Sequence, residues 1–359
     1  MRSTVLRPLV TSAALAALLA APAVSRAQAG ERYTMRGSEI AIYNLVGSIK
    51  AVGGSGGDVV VTVTRGGKDA SQLRVENGEI HGRASLRVIY PARRITFEGD
   101  RGGRYGWNGG RTTLRVDSDG TFGDNDEGQR VEITDRSGGL EARADLTVAV
   151  PAGRRIDLNL AAGEVSVTNV DGDIYVDVHA ANVTTNGTKG VLSLDTGSGT
   201  VSVTDAQGDV TLDAGAGSVT LKQIRGDKLS VDAGAGRLRG DDIKVQSVGL
   251  DLGSGGATLM RLSARDVKLD SGSGSTELDL LTDIRLLDID SGSGGVTIWI
   301  PATLGAKVDI DAGSGGIDVG VPINVTRWES DRVVGTIGDG QGTIRIDAGS
   351  GGIRIKKRP

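Results

Sequence analysis

Apolar and polar residues alternate with a period of two along much of the chain. Residues 192–195 read Leu-Ser-Leu-Asp and residues 201–204 read Val-Ser-Val-Thr, and the alternation returns one unit later at Val210 and Leu212. This period is typical of strands that bury one face. The sequence therefore predicts pairs of short β-strands whose alternate side chains share an aliphatic core.

A five-residue motif, Asp-x-Gly-x-Gly, separates the two strands of each pair. Its copies begin at Asp195, Asp213, Asp232, Asp251, Asp270, Asp290, Asp311 and Asp347, at spacings of 18 to 21 residues and a last step of 36. Two degenerate copies begin at Asn159 and Asp177. One unit is too small to bury its apolar face, so successive units must stack. The predicted fold class is all-β, a single-chain β-solenoid or β-helix of about ten rungs of 18–21 residues.

The motif also predicts a turn and a column of charge. An Asp side chain can accept backbone N–H groups two or three residues on, and Gly takes the positive φ that other residues resist. Stacking would align the carboxylates, which then repel by roughly 1 kcal/mol or less per adjacent pair in water. Two arrangements could offset this repulsion. Solvent and neighbouring Ser or Lys side chains could screen it, or a bound cation could neutralise it, and Ca²⁺ is the candidate cation. The candidate metal ligands are Asp195, Asp213, Asp232, Asp251, Asp270 and Asp290.

The first 29 residues have the features of a secretory signal peptide. Arg2 and Arg7 precede an apolar run over residues 9–21, and small residues follow up to Ala27 and Ala29. We expect cleavage after Ala27 or Ala29 and export to the periplasm, the cell surface or the medium. The run is shorter than the roughly 18 residues that a membrane span needs, and no later segment is apolar enough to span.

Residues 30–150 lack the motif but keep strand-like runs, such as Val-Val-Val-Thr-Val-Thr at 59–64. We expect an N-terminal β region that caps the solenoid, since an open end would expose unpaired backbone groups. Within it, the Gly-rich and highly charged stretch 99–129 is predicted to be a surface loop. Residues 151–359 hold the solenoid repeats, with a second insertion at 320–343.

Composition limits the kinds of functional site and partner that the chain can have. The chain has 57 Gly but only 7 Pro, and aromatic residues are 3% of it, which indicates many turns around a narrow aliphatic core. It has no Cys and 2 His, so disulfides, thiolate sites and multi-His metal centres are excluded. Its net charge of −4 makes nucleic acid a poor candidate partner. His81 and His179 stand alone and are interpreted as ordinary surface or turn residues.

Several segments together resemble a known family. Residues 42–49 read Ile-Tyr-Asn-Leu-Val-Gly-Ser-Ile, residues 149–153 read Ala-Val-Pro-Ala-Gly, and residues 334–340 read Val-Gly-Thr-Ile-Gly-Asp-Gly before the last repeat. With the Gly-Ser-Gly repeats, they resemble the bacterial β-strand-repeat family described as "putative adhesins". The resemblance covers essentially the whole chain after residue 29. It implies an exported all-β repeat protein of unknown molecular function, and stretch 99–129 departs from the family's pattern.

Three groups of residues are candidates for chemistry. Residues 195–198 match the Asp-Thr-Gly-Ser of aspartic proteases, but they are copies of a repeat rather than two carboxylates converging on one water. Asp117-Ser118-Asp119-Gly120, together with Asp126, resembles part of an EF-hand loop, although Arg115 stands at its first ligand position. The candidate ligand contacts lie in stretch 99–129, where aromatic rings alternate with arginines that can grip carboxylates or phosphates: Arg104, Tyr105, Trp107 and Arg111.

The leading functional hypothesis is an exported, non-enzymatic β-repeat protein whose strand faces serve as an adhesion or envelope interaction surface. Its partners would be a glycan or protein of the cell envelope, and it needs no cofactor unless Ca²⁺ loads the aspartate column. One alternative is a structural or stress-associated envelope protein without a ligand. Another is a polysaccharide-acting β-helix enzyme, which would need acidic and basic residues clustered in one groove.

Overall fold

The computed structural model describes residues 30–97, 110–123 and 128–358. These residues form strands, with one short 3-10 helix at Ala70–Gln72. In chain order the strands are β1 Glu31–Met35, β2 Glu39–Gly54, β3 Val59–Gly66, β4 Arg74–Ile80, β5 Arg83–Ile89, β6 Arg94–Thr96, β7 Arg111–Val116, β8 Gln129–Thr134, β9 Arg143–Pro151, β10 Arg154–Thr168, β11 Gly172–Lys189, β12 Leu192–Ser198, β13 Val201–Gln207, β14 Val210–Ala216, β15 Val219–Arg225, β16 Lys228–Ala233, β17 Leu238–Lys244, β18 Ser247–Leu252, β19 Ala257–Ser263, β20 Asp266–Ser271, β21 Thr276–Leu280, β22 Leu286–Ser291, β23 Val296–Ile300, β24 Ala306–Asp311, β25 Ile317–Gly320, β26 Asn324–Trp328, β27 Arg332–Ile337, β28 Gly342–Ala348 and β29 Ile353–Lys357. The predicted signal peptide lies outside the described residues.

Two ladders of parallel strands make up the body of the molecule. The first, which we call the acidic face, runs in the order β5, β2, β10, β11, β12, β14, β16, β18, β20, β22, β28, β24. The second face runs in the order β9, β2, β10, β11, β13, β15, β17, β19, β21, β23, β29, β25. The long strands β2, β10 and β11 pass through both. The prediction of an all-β, solenoid-like stack of parallel repeats is confirmed, whereas the count of about ten rungs stays a prediction.

The core lies between the two faces and is aliphatic. In one unit Leu192 and Leu194 enter it from the acidic face and Val201 and Val203 from the second face, each at most 2% exposed. In the units that follow, the same positions are filled by Val, Leu, Ile or Ala except at Gly240 and Thr276, which are also buried. Alternate residues point outwards, as the period of two predicts. A core only two side chains thick explains why so few aromatic residues suffice.

Close stacking explains the two glycines of each motif. A Cβ at Gly236 would lie 1.4 Å from the carbonyl oxygen of Gly217, and one at Gly255 would lie 1.7 Å from that of Gly236. Positive φ, the expected reason for glycine, holds at Gly199 and Gly217, with φ of 134° and 135°. Further along the stack, the approach of one backbone to the next is what excludes a side chain.

The motif aspartate was expected to build the turn, and the structure shows this at one end of the stack. The Asp311 carboxylate accepts the N–H of Gly313 at 3.1 Å. Elsewhere the N–H groups of the turn are used between turns: Gly234 donates to Ala214 at 2.9 Å, and Ser254 donates to the Gly234 carbonyl at 2.8 Å. The neighbouring turn therefore satisfies the backbone, and the aspartate side chain is left to point outwards.

The last repeat in the sequence is not last in the stack. Strands β28 and β29 lie between β22 and β24 and between β23 and β25, so the Asp347 unit separates the Asp290 unit from the Asp311 unit. Sequential stacking, which the repeat spacing implied, is therefore wrong for this unit. The cause is the predicted insertion at 320–343: its strands β26 and β27 form an antiparallel hairpin on the outer edge of β24, and the chain then re-enters on the inner edge.

Side chains of β29 and the residue that follows fasten the inserted unit. The Arg358 guanidinium pairs with the buried Asp279 carboxylate, with its Nη2 3.3 Å from Oδ2. The Lys356 ammonium lies 5.1 Å from the ring centre of Trp299 on the adjacent strand, within range of a cation–π contact. Charged side chains, as well as backbone pairing, therefore hold the Asp347 unit in its place between its neighbours.

The N-terminal strands cover the other end. On the second face β9 pairs with β3 and β3 with β1, both antiparallel, and on the acidic face β4 pairs antiparallel with β5. Strands β6, β8 and β7 form a separate three-stranded sheet. Strand β7 lies inside stretch 99–129, so the prediction of a loop is wrong for Arg111–Val116. There Thr112, Leu114 and Val116 alternate with arginines, a strand pattern that the abundance of charge obscured.

Candidate functional site

The motif aspartates form a continuous row on the outside of the acidic face, which we call the acidic ladder. Each aspartate is in register with the motif aspartate of the next strand. In spatial order the ladder is Asp177, Asp195, Asp213, Asp232, Asp251, Asp270, Asp290, Asp347 and Asp311. Neighbouring strands are about 4.8 Å apart, which sets the spacing of the carboxylates. The six predicted metal ligands are thus consecutive members of one straight row.

A straight row does not make a coordination sphere. Among residues 30–97, 110–123 and 128–358, no three His, Cys, Asp or Glu side chains converge as a metal ion requires. Carboxylates on successive strands point the same way, whereas Ca²⁺ takes six to eight oxygens from around it. Lys268 lies two residues before Asp270 and on the same side of the sheet. Both line a shallow groove of about 520 Å³ that also includes Asp232, Asp251 and Asp290. Calcium loading of the ladder stays a prediction.

The acidic ladder ends in a deeper feature, which we call the ladder-end groove. It has a volume of about 430 Å³ and lies over β2, β10, β11 and β12, with β5 and the loop after β7 as its walls. The side chains that define it are Tyr43, Arg83, Arg155, Asp157, Tyr175 and Asp195. A concave site with a few convergent polar groups is the default candidate for ligand binding.

The groove arises where the strands keep the repeat's register but change its residues. At the ladder position, β10 carries Asn159 and β2 carries Tyr43 in place of aspartate. Two residues earlier, β11 carries Tyr175, where β12 carries Ser193 and β14 carries Thr211. Large aromatic side chains thus replace small polar ones at only one end of the ladder.

Aromatic rings form the floor and one wall of the groove. The Tyr43 ring, 8% exposed, meets the Phe122 ring edge-on, with the ring centres 5.6 Å apart and the planes at 78°. Phe122 in turn lies 6.3 Å from the His179 ring. Burial raises the pKa of Tyr43, so its hydroxyl remains a protonated donor at neutral pH. His81, exposed in a turn with φ of 51°, reaches the rim.

Two arginines in the groove share one carboxylate. Arg83 hydrogen bonds to Oδ2 of Asp157, and Nε of Arg155 lies 3.3 Å from Oδ1 of the same side chain. The Arg155 guanidinium also lies 4.0 Å from the ring centre of Tyr175. Burial, the largest single influence, would lower the pKa of Arg155, but the charge and hydrogen bond of Asp157, together with Tyr175 and Glu39, raise that pKa. The arginines are therefore fixed, charged and oriented before any ligand arrives.

The loop after β7 closes the side of the groove. The Asp119 Oδ1 atom accepts the N–H of Thr121 at 2.9 Å and its hydroxyl at 2.7 Å. Burial would raise the pKa of Asp119, but these bonds from Thr121 lower it below its usual range. The EF-hand-like residues 117–120 thus form a self-contained turn that carries Phe122 into the groove, and Asp126 lies outside the described residues.

Of the four predicted ligand contacts, the structure describes only Arg111. Arg104, Tyr105 and Trp107 lie outside the described residues, and their role stays a prediction. Arg111 begins β7, where its Nη2 atom lies 3.1 Å from Oε2 of Glu132 on β8. That guanidinium is part of a cross-strand ion pair rather than of the groove.

Sequence reasoning missed the groove although a signal was present. Aligning the degenerate units on Asn159 and Asp177 with the regular ones places Tyr175 where the next three units carry Ser, Thr and Ser, and places Asp157 at the same position one unit earlier. A large aromatic residue at a position that is small and polar in the next units is the signal. It is easily overlooked because aromatic residues in an insertion look more exposed than aromatic residues in a strand.

No helix in the described ranges is long and apolar enough to cross a membrane. A family model described as "Toastrack DUF4097" matches residues 44–356. Among solved structures, the chain is similar to one described as "a putative cell adhesion protein from Clostridium sporogenes ATCC 15579", at 11% identity and a TM-score of 0.20, covering 92% of this chain and 100% of that one. The comparison with curated proteins found no match.

Proposed function

We propose that this chain, which belongs to the Toastrack DUF4097 family, is an exported, non-enzymatic binding protein of the cell envelope that holds a carbohydrate in its ladder-end groove. The stack of repeats serves as a rigid support for that groove. The match over residues 44–356 includes the stack and the groove residues other than Tyr43.

The ladder-end groove is the observation that carries this proposal. It offers the partly exposed ring of Tyr175, donors at Arg83 and Arg155 that Asp157 holds in place, and acceptors along the first steps of the acidic ladder. Sugars present apolar ring faces bordered by hydroxyl groups, so a site that combines rings with hydrogen-bonding charges matches them. Because Asp157 already orients both guanidinium groups, little side-chain entropy is lost on binding.

The arrangement of carboxylates favours binding over hydrolysis. A glycosidase needs two carboxylates on opposite sides of one bond, with their pKa values driven apart. In the groove Asp177 and Asp195 stand side by side on adjacent strands, and the same arrangement continues along the ladder. Among the described residues the side-by-side register of Asp177 and Asp195 is the same as at every later step of the ladder.

A glycan array followed by calorimetry tests the proposal, using the chain from Gly30 onwards with calcium and with chelator. We expect glycan binding that Tyr175→Ser weakens at least tenfold, since this variant restores the residue type of the repeat and leaves the scaffold intact. Tyr33→Ala is the matched control, because Tyr33 is partly exposed on β1, is bonded to Glu31 and lies outside the groove. The control should bind like the unaltered chain.

Other outcomes would support the alternatives. An absence of binding to any glycan or envelope fraction would overturn the proposal in favour of a structural envelope component. Turnover of a polysaccharide that is lost in Asp195→Asn would establish the polysaccharide-acting enzyme instead. Binding that requires calcium and is lost in Asp251→Asn, far along the ladder, would move the site from the groove to a metal-loaded ladder.

Export is tested separately. Expression of the full chain in a bacterial host should yield a periplasmic or extracellular protein whose mass and N-terminal sequence correspond to cleavage after Ala27 or Ala29. A cytoplasmic protein that retains residues 1–29 would contradict the predicted leader.

A further inference from the structure

The two ends of the acidic face are finished differently. At one end the outermost strand is β4, whose exposed residues include Arg74, Glu76 and Glu79. Charged side chains on an edge strand oppose pairing with another chain. At the other end the outermost strand is β26, on which Val325 and Trp328 are 46% and 55% exposed, the highest values for large hydrophobic residues in the described ranges.

Strand β26 has an open hydrogen-bonding edge. Within the described residues it pairs with β27 alone, in an antiparallel ladder. The N–H of Glu329 donates to Arg332 at 2.8 Å, so the pairing extends into the hairpin turn. Backbone groups in an antiparallel pair point alternately towards and away from the partner. The N–H and carbonyl of Trp328 therefore point away from β27, where another strand could accept and donate.

Apolar side chains accompany this edge. Trp328 lies opposite Val333, which is buried, so the indole is on the core-facing side of the hairpin. Together with four partly buried residues that pack on the core, the two exposed residues define an apolar surface that we call the end patch: Ile317, Val319, Val321, Ile323, Val325 and Trp328. Exposed apolar surface of this kind marks an interaction site.

The charges around Trp328 are self-complementary. Antiparallel pairing of two copies of β26 about a two-fold axis through Trp328 places Arg327 of each copy opposite Glu329 of the other. In one chain these side chains are already near each other, with Nε of Arg327 2.8 Å from Oε1 of Glu329. The axis also brings together the two Trp328 backbones, whose free N–H and carbonyl groups form the central pair. An isologous contact of this kind closes at a dimer.

From these observations we propose that the end patch is a self-association site, through which two copies of the chain join by antiparallel pairing of β26 about Trp328. The β-bulge between Val325 and Arg327 limits regular pairing to the residues after it. The contact is therefore short, and the dimer forms and dissociates with concentration. This inference does not depend on the proposed carbohydrate site.

Sedimentation velocity of the chain from Gly30 onwards, over a roughly 100-fold range of concentration, tests the inference. We expect the mass to rise from that of a monomer to twice that value. Trp328→Lys should abolish the rise, because a charge on an edge strand opposes pairing. Met260→Lys is the matched control: Met260 is 38% exposed but lies on β19 in the middle of the second face, and its substitution should leave the dimer unchanged.

Charge reversal distinguishes this pairing from other contacts. Arg327→Glu places a second carboxylate opposite Glu329 of the other copy at both symmetric positions and should abolish the dimer. The double variant Arg327→Glu/Glu329→Arg restores opposite charges and should restore it. A chain that stays monomeric at every concentration would overturn the proposal. So would association that survives Arg327→Glu, or growth beyond a dimer, which a closed two-fold contact excludes.

Discussion

The middle of the stack and the groove region share one architecture but differ in what their outward positions carry. On the acidic face from β12 to β22 every strand carries the motif aspartate at the same outward position, and the result is a uniform acidic ladder. In β2, β10 and β11 the register is the same, yet tyrosine, arginine and asparagine occupy those positions. The difference teaches that the repeat builds the support and that departures from the repeat build the site.

The largest expected effect comes from adding a methyl group to the middle of the stack. Gly236→Ala would place a Cβ 1.4 Å from the Gly217 carbonyl oxygen, so adjacent turns must separate. We expect a loss of about 3 kcal/mol or more in the free energy of unfolding, measured by urea denaturation. In the control Gly249→Ala, the nearest atom is Ser230 Oγ at 4.0 Å, and stability should stay within about 1 kcal/mol. Equal losses in both variants would show that stacking distance does not select glycine.

The next effect concerns the buried hydroxyl group of the motif residue that follows the aspartate. The buried Thr196 hydroxyl has no hydrogen-bond partner, and the next units carry Ala214 and Ala233 at its position. Thr196→Val should therefore raise the free energy of unfolding by about 1 kcal/mol. Ser291 is the contrast, because its hydroxyl donates to the Gly294 carbonyl at 3.0 Å. Ser291→Ala should lower the free energy of unfolding by about 1 kcal/mol. A change of the same sign in both variants would show that the hydrogen bond of this hydroxyl does not decide its effect on stability.

A smaller effect should come from the acidic ladder itself. Asp251 stands between Asp232 and Asp270, so Asp251→Asn removes two repulsions. We expect a slightly higher denaturation midpoint at low salt and no difference at about 1 M salt, where the screening length falls to about 3 Å. Repeating the titration with calcium sharpens the test. If the ladder binds the ion, the variant becomes the less stable protein once calcium is added.

The smallest effect is expected in the wall of the groove. Burial would raise the pKa of Asp119 in the folded protein, but the bonds from Thr121 to its ionised form lower it. A lowered pKa contributes stability above the unfolded value of about 3.9 and loses it as the pH falls through the folded value. Asp119→Asn should therefore be less stable than the unaltered chain at pH 7, with the gap closing in acid. A gap that stays constant with pH would show that the charge of Asp119 contributes nothing.

The local unit was predictable from sequence, and its long-range order was not. The alternation around Leu192 and Val201, with the spacing of the aspartates, was enough to predict strands in parallel register. The insertion of the Asp347 unit before the Asp311 unit was not predictable, since both carry the same motif and both could follow Asp290. What decides their order is the pairing of β24 with β27 across many residues, which no local pattern encodes.

The candidate site was predictable only in part. The sequence directs attention to Arg104, Tyr105, Trp107 and Arg111, because aromatic rings among arginines in an insertion suggest exposure. The groove instead uses residues within strands, whose neighbours are set by register rather than by sequence. Tyr175 and Asp157 become adjacent only once β10 and β11 are paired.

The inserted position of β28 and β29 also constrains how the protein can assemble. A stack that grows turn by turn could form as the chain emerges, with each new turn templated by the one before. Here that growth is interrupted after β23, because the next strands in the chain, β24 and β25, do not pair with β22 and β23 but lie one turn beyond them. Strands β28 and β29 are made last, after the hairpin of β26 and β27, and must insert between two turns that precede them in the chain. If the turns add in chain order, the edge of β22 therefore stays unpaired until β28 and β29 have been made, and during that time it is open to pairing with other chains.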